Sequence, residues 1–321
     1  MMWDNAEVRM QDPDWLSKDN LDKFESKLFM THDPASTDAN RIQSIMDLKH
    51  SKADLESTVK EIQHSDKPQQ AKLLKALKKF EPLFDGTLGS WKTSPVELEL
   101  KETDCKLHHA KPHPVPQSQE RKLKEEMERL VNFGVLKKVN ESEWASPAFT
   151  ISKPDGTLRS LTDSRELNKR IKRFPCPIPE IQDMLQKLEG FQWATSLDLN
   201  MGCCHLMLSP TSRRLCTVVF PWGQCEHCRL PMGLCNSPDI FQEKMGELMS
   251  NSEFAQAHLD DLSIISKGSL EEHLEHIERA LSRLLEAGLK VNVSKSSFCK
   301  TELECLGFWM TRKGIQPLTK K

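Results

Sequence analysis

The chain has 321 residues, a formal net charge of −2, 37% hydrophobic residues and 29% charged ones. That length allows roughly two domains of about 150 residues, and the composition excludes collagen-like and wholly disordered classes. No run approaches the ~18 apolar residues of a membrane span, and Met1–Asp14 lacks the apolar segment of a secretory signal. The ten cysteines therefore read as reduced thiols of an intracellular protein, cytoplasmic or nuclear. Tyrosine is absent, against 13 Phe and 7 Trp.

Residues 1–66 carry 14 acids and 8 bases with little apolar periodicity, so they read as an acidic, weakly structured leader with one short helix near Asp54–Gln63. Residues 67–116 read as a helix, a strand and a Pro-rich linker. Pro68 opens the helix, Leu73, Leu74, Leu77 and Phe80 stripe it, and Asp85-Gly86 ends it. Val96–Leu100 alternates apolar and acidic residues as a strand does, and prolines 112, 114 and 116 mark the linker. Ser118 is placed to cap a helix that carries Leu123, Met127, Leu130 and Val131 and closes at Gly134.

From about 135 the pattern turns to hairpins. Trp144–Ser152 and Leu158–Thr162 flank the turn signal Lys153-Pro154-Asp155-Gly156, and Leu215–Phe220 and Cys225–Leu230 flank Pro221-Trp222-Gly223. Ala194–Leu199 and Cys204–Leu208 read as strands. Ser237-Pro238-Asp239 starts a helix, and Ser269 with Glu272 forms a capping box for another that Gly288 closes. Strands near Lys290–Val293 and Cys305–Thr311 follow. Strands and helices mixed with many hairpins predict an α+β fold.

Three features carry chemistry. In His258-Leu259-Asp260-Asp261-Leu262, two adjacent acids interrupt strand-like segments. Adjacent carboxylates in a strand repel and lose hydration unless a hairpin tip exposes them or a cation joins them. Asp198 ends a second apolar strand; taken alone, it reads as a turn former. Three carboxylates on neighbouring strands would suit Mg²⁺ or Mn²⁺ and two-metal phosphoryl transfer. Between Lys153 and Arg173 lie seven bases and three acids, a patch able to hold phosphates or to stand as an ordinary solvated face.

Together these features resemble the reverse transcriptase of gypsy-like LTR retrotransposon polyproteins. The resemblance runs collinearly through Pro154-Asp155-Gly156-Thr157-Leu158-Arg159, Asp163-Ser164-Arg165-Glu166-Leu167-Asn168-Lys169 and Phe174-Pro175-Cys176-Pro177-Ile178-Pro179. It continues through Ser196-Leu197-Asp198-Leu199-Asn200-Met201-Gly202, Leu230-Pro231-Met232-Gly233-Leu234-Cys235-Asn236-Ser237-Pro238, His258-Leu259-Asp260-Asp261 and Leu306-Gly307-Phe308. It implies a right-hand polymerase within 117–321, with an antiparallel palm sheet backed by helices. Fingers would take about 117–190 and 213–232, and palm about 191–212 and 233–317.

The resemblance also implies roles. Asp198, Asp260 and Asp261, with the carbonyl of Leu199, match the ligands of two Mg²⁺ or Mn²⁺ ions. Lys153 and Arg159 match residues that clamp an incoming deoxynucleoside triphosphate, a task that suits bidentate Arg–phosphate bonding. Cys203, Met232 and Gly233 match further nucleotide contacts. Lys169, Arg170, Lys172, Arg173, His258, Leu306 and Gly307 match contacts to an RNA or DNA template and its primer. The implied reaction is attack of a primer 3′-hydroxyl on the triphosphate. Other polyprotein segments, RNase H and integrase among them, are the implied partners, and no membrane is.

Departures from the family pattern cluster at lost aromatics. Cys203 stands where relatives carry the ring that excludes the ribose 2′-hydroxyl, His258 where a tyrosine precedes the paired acids, and Ser164, Cys225, His227 and Cys305 at positions often aromatic. The matched chain stops after the primer-holding turn with no thumb following, so it reads as a polyprotein fragment. Its alternative is a degenerate remnant acting at most as a nucleic-acid-binding module. A zinc site from Cys225, His227 and Cys228 with Cys203, Cys204 and His205 lacks a second well-spaced pair. A metal nuclease or phosphatase using the same acids is separated by cleaving substrate rather than extending it.

Overall fold

A computed structural model describes residues 54–317 apart from 61, 63–65, 103–107, 143, 153–157, 177–189, 200, 306–307 and 313. Short connections and alternating apolar residues build three antiparallel-rich sheets. The first joins β1 (Leu136–Val139), β2 (Ser146–Ser152), β3 (Leu158–Thr162), β5 (Thr217–Phe220) and β6 (Gly223–His227), in the order β1-β6-β5-β2-β3. The second joins β4 (Trp193–Leu199), β7 (Ala255–His258), β8 (Asp261–Ser266) and β9 (Val291–Lys300), in the order β7-β8-β4-β9. A small third sheet holds β10 (Glu302–Cys305), β11 (Phe308–Thr311) and β12 (Gly314–Pro317).

Helices cover the sheets where their apolar stripes fall. α3 (Gln117–Asn132) turns Leu123, Met127 and Leu130 onto the first sheet, against Val135, Ala148, Val218 and Phe220. α6 (Ser237–Leu248) and α7 (Leu270–Ala287) back the second sheet. α7 opens where Ser269 Oγ accepts the Glu272 N–H at 3.3 Å, and it ends where Gly288 takes φ 81°, a left-handed cap that glycine adopts without Cβ strain. Ile277, Leu281 and Leu284 of this helix are fully buried, each contributing about 1.5–3 kcal/mol. Behind it, His273 bonds Thr195 Oγ1 (2.8 Å) and Ser266 Oγ (2.9 Å), tying α7 to β4 and β8.

Several sequence expectations need correction. The short helix expected near Asp54–Gln63 is present as α1 (Leu55–Lys60), but it buries Leu55 and Val59, so this end of the acidic leader is packed into the core; residues 1–53 lie outside the described residues. α2 (Lys67–Lys78) stops short of Phe80, because Pro82 cannot continue an α-helix and a 3₁₀ turn, Glu81–Phe84, takes over. Helices α1 and α2 join the same core as α7 and β9. The strand expected at Val96–Leu100 is two isolated bridges, Val96↔Leu208 and Leu100↔Ile171, because Ser212 Oγ takes the Leu98 N–H between them. Ser118 caps nothing; Pro116 precedes the helix. The expected Cys204–Leu208 strand is a 3₁₀ turn, Gly202–His205. The expected Cys305–Thr311 strand is split between β10 and β11. Among the described residues the structure adds two short helices, α4 (Arg165–Arg170) and α5 (Pro210–Leu215), the second capped by Ser209 Oγ on the Ser212 N–H.

Candidate active site

The sequence placed two acids at a hairpin tip and a third at a strand end, and the second sheet brings the three together. β7 and β8 pair so that His258 faces Asp261, leaving Leu259-Asp260 as the turn. Asp198, at the end of β4, pairs directly with Asp261. The Leu199 N–H donates to the Asp260 carbonyl oxygen at 3.0 Å, and the Asp198 N–H donates to Ser296 Oγ at 3.1 Å. Directly opposed residues of an antiparallel pair have Cα atoms about 4.5–5.5 Å apart, so three carboxylates occupy one small patch.

The turn is strained and clamped. Leu259 has φ 51°, a left-handed conformation costing a non-glycine residue about 1–2 kcal/mol. Gln242, buried on α6, holds it from both sides: its Oε1 accepts the Leu259 N–H at 2.8 Å and its Nε2 donates to the Ala257 carbonyl at 3.0 Å. Gly202 lets the Asp260 carboxyl settle beneath it. A Cβ at Gly202 would collide with Asp260 Oδ1 and lie 2.8 Å from Phe241 Cζ.

The electrostatics are those of an anion cluster. Burial, then the charges of Asp198 and Asp261, push the Asp260 carboxyl up to about 7. Burial raises Asp261 as well, while His258 and Lys295 pull it down. Burial lowers His258 against the attraction of Asp261. Among the described residues no three His, Cys, Asp or Glu side chains already converge as a metal-binding group.

A sequence profile described as "Reverse transcriptase (RNA-dependent DNA polymerase)" matches residues 151–310, a span that includes all three aspartates. The chain carries a reverse transcriptase domain. It is 35% identical to the Pro-Pol polyprotein of simian foamy virus type 1 over 187 residues, 58% of this chain and 16% of that protein. It is 28% identical to a retrovirus-related Pol polyprotein from transposon 297 of Drosophila melanogaster over 299 residues, 90% of this chain and 27% of that one. The chain thus spans about a quarter or less of these relatives. Among solved structures, foamy viral protease-reverse transcriptase in complex with double-stranded DNA aligns with a TM-score of 0.76 and 24% identity, covering 86% of this chain and 49% of that one. The same protein in complex with an RNA/DNA hybrid gives 0.75, at 84% and 36% coverage. These likenesses establish the α+β palm-and-fingers fold.

The remaining expected site residues of the reverse transcriptase domain divide sharply. Lys153, Leu306 and Gly307 lie outside the described residues, as does the side chain of Arg159, whose backbone is in β3. Met232 packs between the two hydrophobic cores. The Gly233 carbonyl accepts Asn168 Nδ2 at 2.9 Å, and Asn168 Oδ1 accepts the Cys235 N–H at 2.9 Å, so α4 straps this loop. Cys203 is only 3% exposed, its Sγ 3.8 Å from the Ser237 carbonyl. Where a nucleotide contact was expected, this small thiol packs into the core, and burial holds it well above the usual thiol range.

The basic run is largely paired. Lys169 (2.6 Å) and Arg170 (2.9 Å) both meet Glu166, holding its carboxyl down at about 2. Lys172 meets Glu99 at 3.3 Å, and Arg173 meets the buried Asp239 at 3.0 Å. Gln242, Lys295 and Ser296 escaped the sequence reading, since nothing local distinguishes them from ordinary helix and strand residues.

Proposed function

We propose that this domain performs template-directed nucleotidyl transfer to a primer 3′-hydroxyl, as part of a gypsy-like retrotransposon polyprotein. The observation that carries the reading is the registration of Asp198 against Asp261 beside the clamped Asp260 turn. Divalent ions fit this donor set. Asp198, Asp260, Asp261 and the Leu199 carbonyl are all hard oxygens, and a carboxyl at about 7 marks negative charge in want of a counter-ion. Bound Mg²⁺ or Mn²⁺ would neutralise the cluster and make a 3′-hydroxyl more acidic. The strained Leu259 turn presents Asp260, and Asp198 and Asp261 bracket it.

The triphosphate is assigned to Lys153 and Arg159, with Met232 and Gly233 beside the base. RNA or DNA template and primer are assigned to the Lys169–Arg173 face, His258 and Leu306-Gly307, in line with the nucleic-acid complexes of the structural relatives. Fingers are assigned to about 117–190 and 213–232, the stretches that hold the first sheet, and palm to about 191–212 and 233–317, the stretches that hold the second. RNase H and integrase segments of the same polyprotein would be its intracellular partners, cytoplasmic or nuclear.

A degenerate, nucleic-acid-binding remnant is the second reading, favoured by the buried Cys203. Primer extension with Mg²⁺ or Mn²⁺ separates the two. Incorporation that Asp260→Asn abolishes supports the polymerase. Salt-sensitive binding without incorporation supports the remnant.

A further inference from the structure

We infer that His205 is a positioning residue for the carboxylate cluster, holding the Gly202 turn on which Asp260 rests. The inference builds on the carboxylate-site reading above. His205 is fully buried, and both ring nitrogens are engaged. The Lys290 N–H donates to Nε2 at 3.1 Å, which requires a lone pair there. The proton of the neutral ring therefore sits on Nδ1, which faces the Gly202 carbonyl oxygen at 3.0 Å and donates to it.

The ring has no room to rotate away. A Cβ on Gly89 would lie 2.5 Å from its Cδ2, and the Trp91 N–H holds the His205 carbonyl at 2.8 Å. Arg229 Nη1 secures the same stretch through the carbonyls of Gly89 (2.6 Å) and Cys204 (3.0 Å).

The turn needs this support. Met201, which precedes it, has φ 56°, a left-handed conformation that a non-glycine residue keeps only when its surroundings impose it. Gly202 in turn is the surface against which the Asp260 carboxyl lies. A continuous chain of contacts thus runs from the start of β9, through one imidazole, to the acid that turns with Leu259. Burial, with Arg229 and Lys290 nearby, lowers the ring's pKa to about 4, so the ring is neutral near pH 7, and the Lys290 N–H then selects the tautomer.

Two variants separate the nitrogens. His205→Asn keeps a donor near the Nδ1 position for Gly202 and loses the acceptor for Lys290; His205→Gln does the reverse. With Mn²⁺ as the probe, read by water-proton relaxation, H205Q should lose about tenfold or more in affinity and H205N should stay within about threefold of the parent. Equal losses in both variants, equal retention in both, or retention by H205Q alone would overturn the inference.

A parent chain that fails to bind Mn²⁺ rejects the polymerase reading. Amide exchange at Cys204 and Leu206 then decides the inference, because both amides close the turn. Exchange should accelerate about tenfold in H205Q and not in H205N. Should either variant fail to unfold cooperatively, ¹⁵N spectra of the parent imidazole decide instead, and a proton on Nε2 sinks the proposal.

Discussion

Asp260→Asn is a change that should remove the active site and stabilise the protein. Lifting a carboxyl from the ordinary 3.8 to about 7 makes its ionised form about 4 kcal/mol less favourable in the folded chain than in the unfolded one. Water at the open side of the cluster and local relaxation reduce this to about 2–3 kcal/mol. Between these two values the folded chain holds a proton that the unfolded chain has released. Stability therefore falls as pH rises through that window, and the full penalty is present above about 7. Asparagine cannot ionise. In chelator, urea unfolding should find Asp260→Asn more stable than the parent by about 2–3 kcal/mol near pH 8 and about equal to it near pH 4. Mn²⁺ should raise the parent's midpoint at the higher pH and leave the variant's unchanged. A difference independent of pH, or a variant less stable at the higher pH, would refute the assignment of an uncompensated buried charge.

Three further outcomes are expected. Gly202→Ala places a methyl against the Asp260 carboxyl and Phe241, and Mn²⁺ affinity should fall by about tenfold or more; relaxation titration with unchanged affinity would remove Gly202 from the site. Gln242→Ala frees the Leu259 N–H and the Ala257 carbonyl together, and urea unfolding should record a loss of about 1–3 kcal/mol, with faster amide exchange confined to the β7–β8 hairpin. Arg173→Ala leaves the Asp239 carboxylate, 2% exposed, with the Cys176 N–H at 3.3 Å as its one remaining partner among the described residues; a loss of about 1–3 kcal/mol is expected, and a neutral result would mean that water replaces the half-exposed guanidinium.

Local pattern determined much of this protein. The capped α7, the hairpins around Pro221-Trp222 and Leu259-Asp260, and the strand ending at Asp198 are set by spacings of a few residues, which depend only on neighbours in the chain. The paired acids were legible for the same reason, because two adjacent carboxylates between apolar strands have few stable placements. Tertiary structure decided what those signals could not contain. Asp198 and Asp261 stand 63 positions apart, and only the strand order of the second sheet makes them neighbours. The Val96–Leu100 alternation gave no ladder, since its would-be partners, Leu208 and Ile171, come from different parts of the fold. The basic run is legible as local charge, but its pairing with Glu99 and Asp239 comes from distant segments that sequence spacing does not encode. Gln242 and His205 act through long-range hydrogen bonds, and sequence spacing does not encode such bonds.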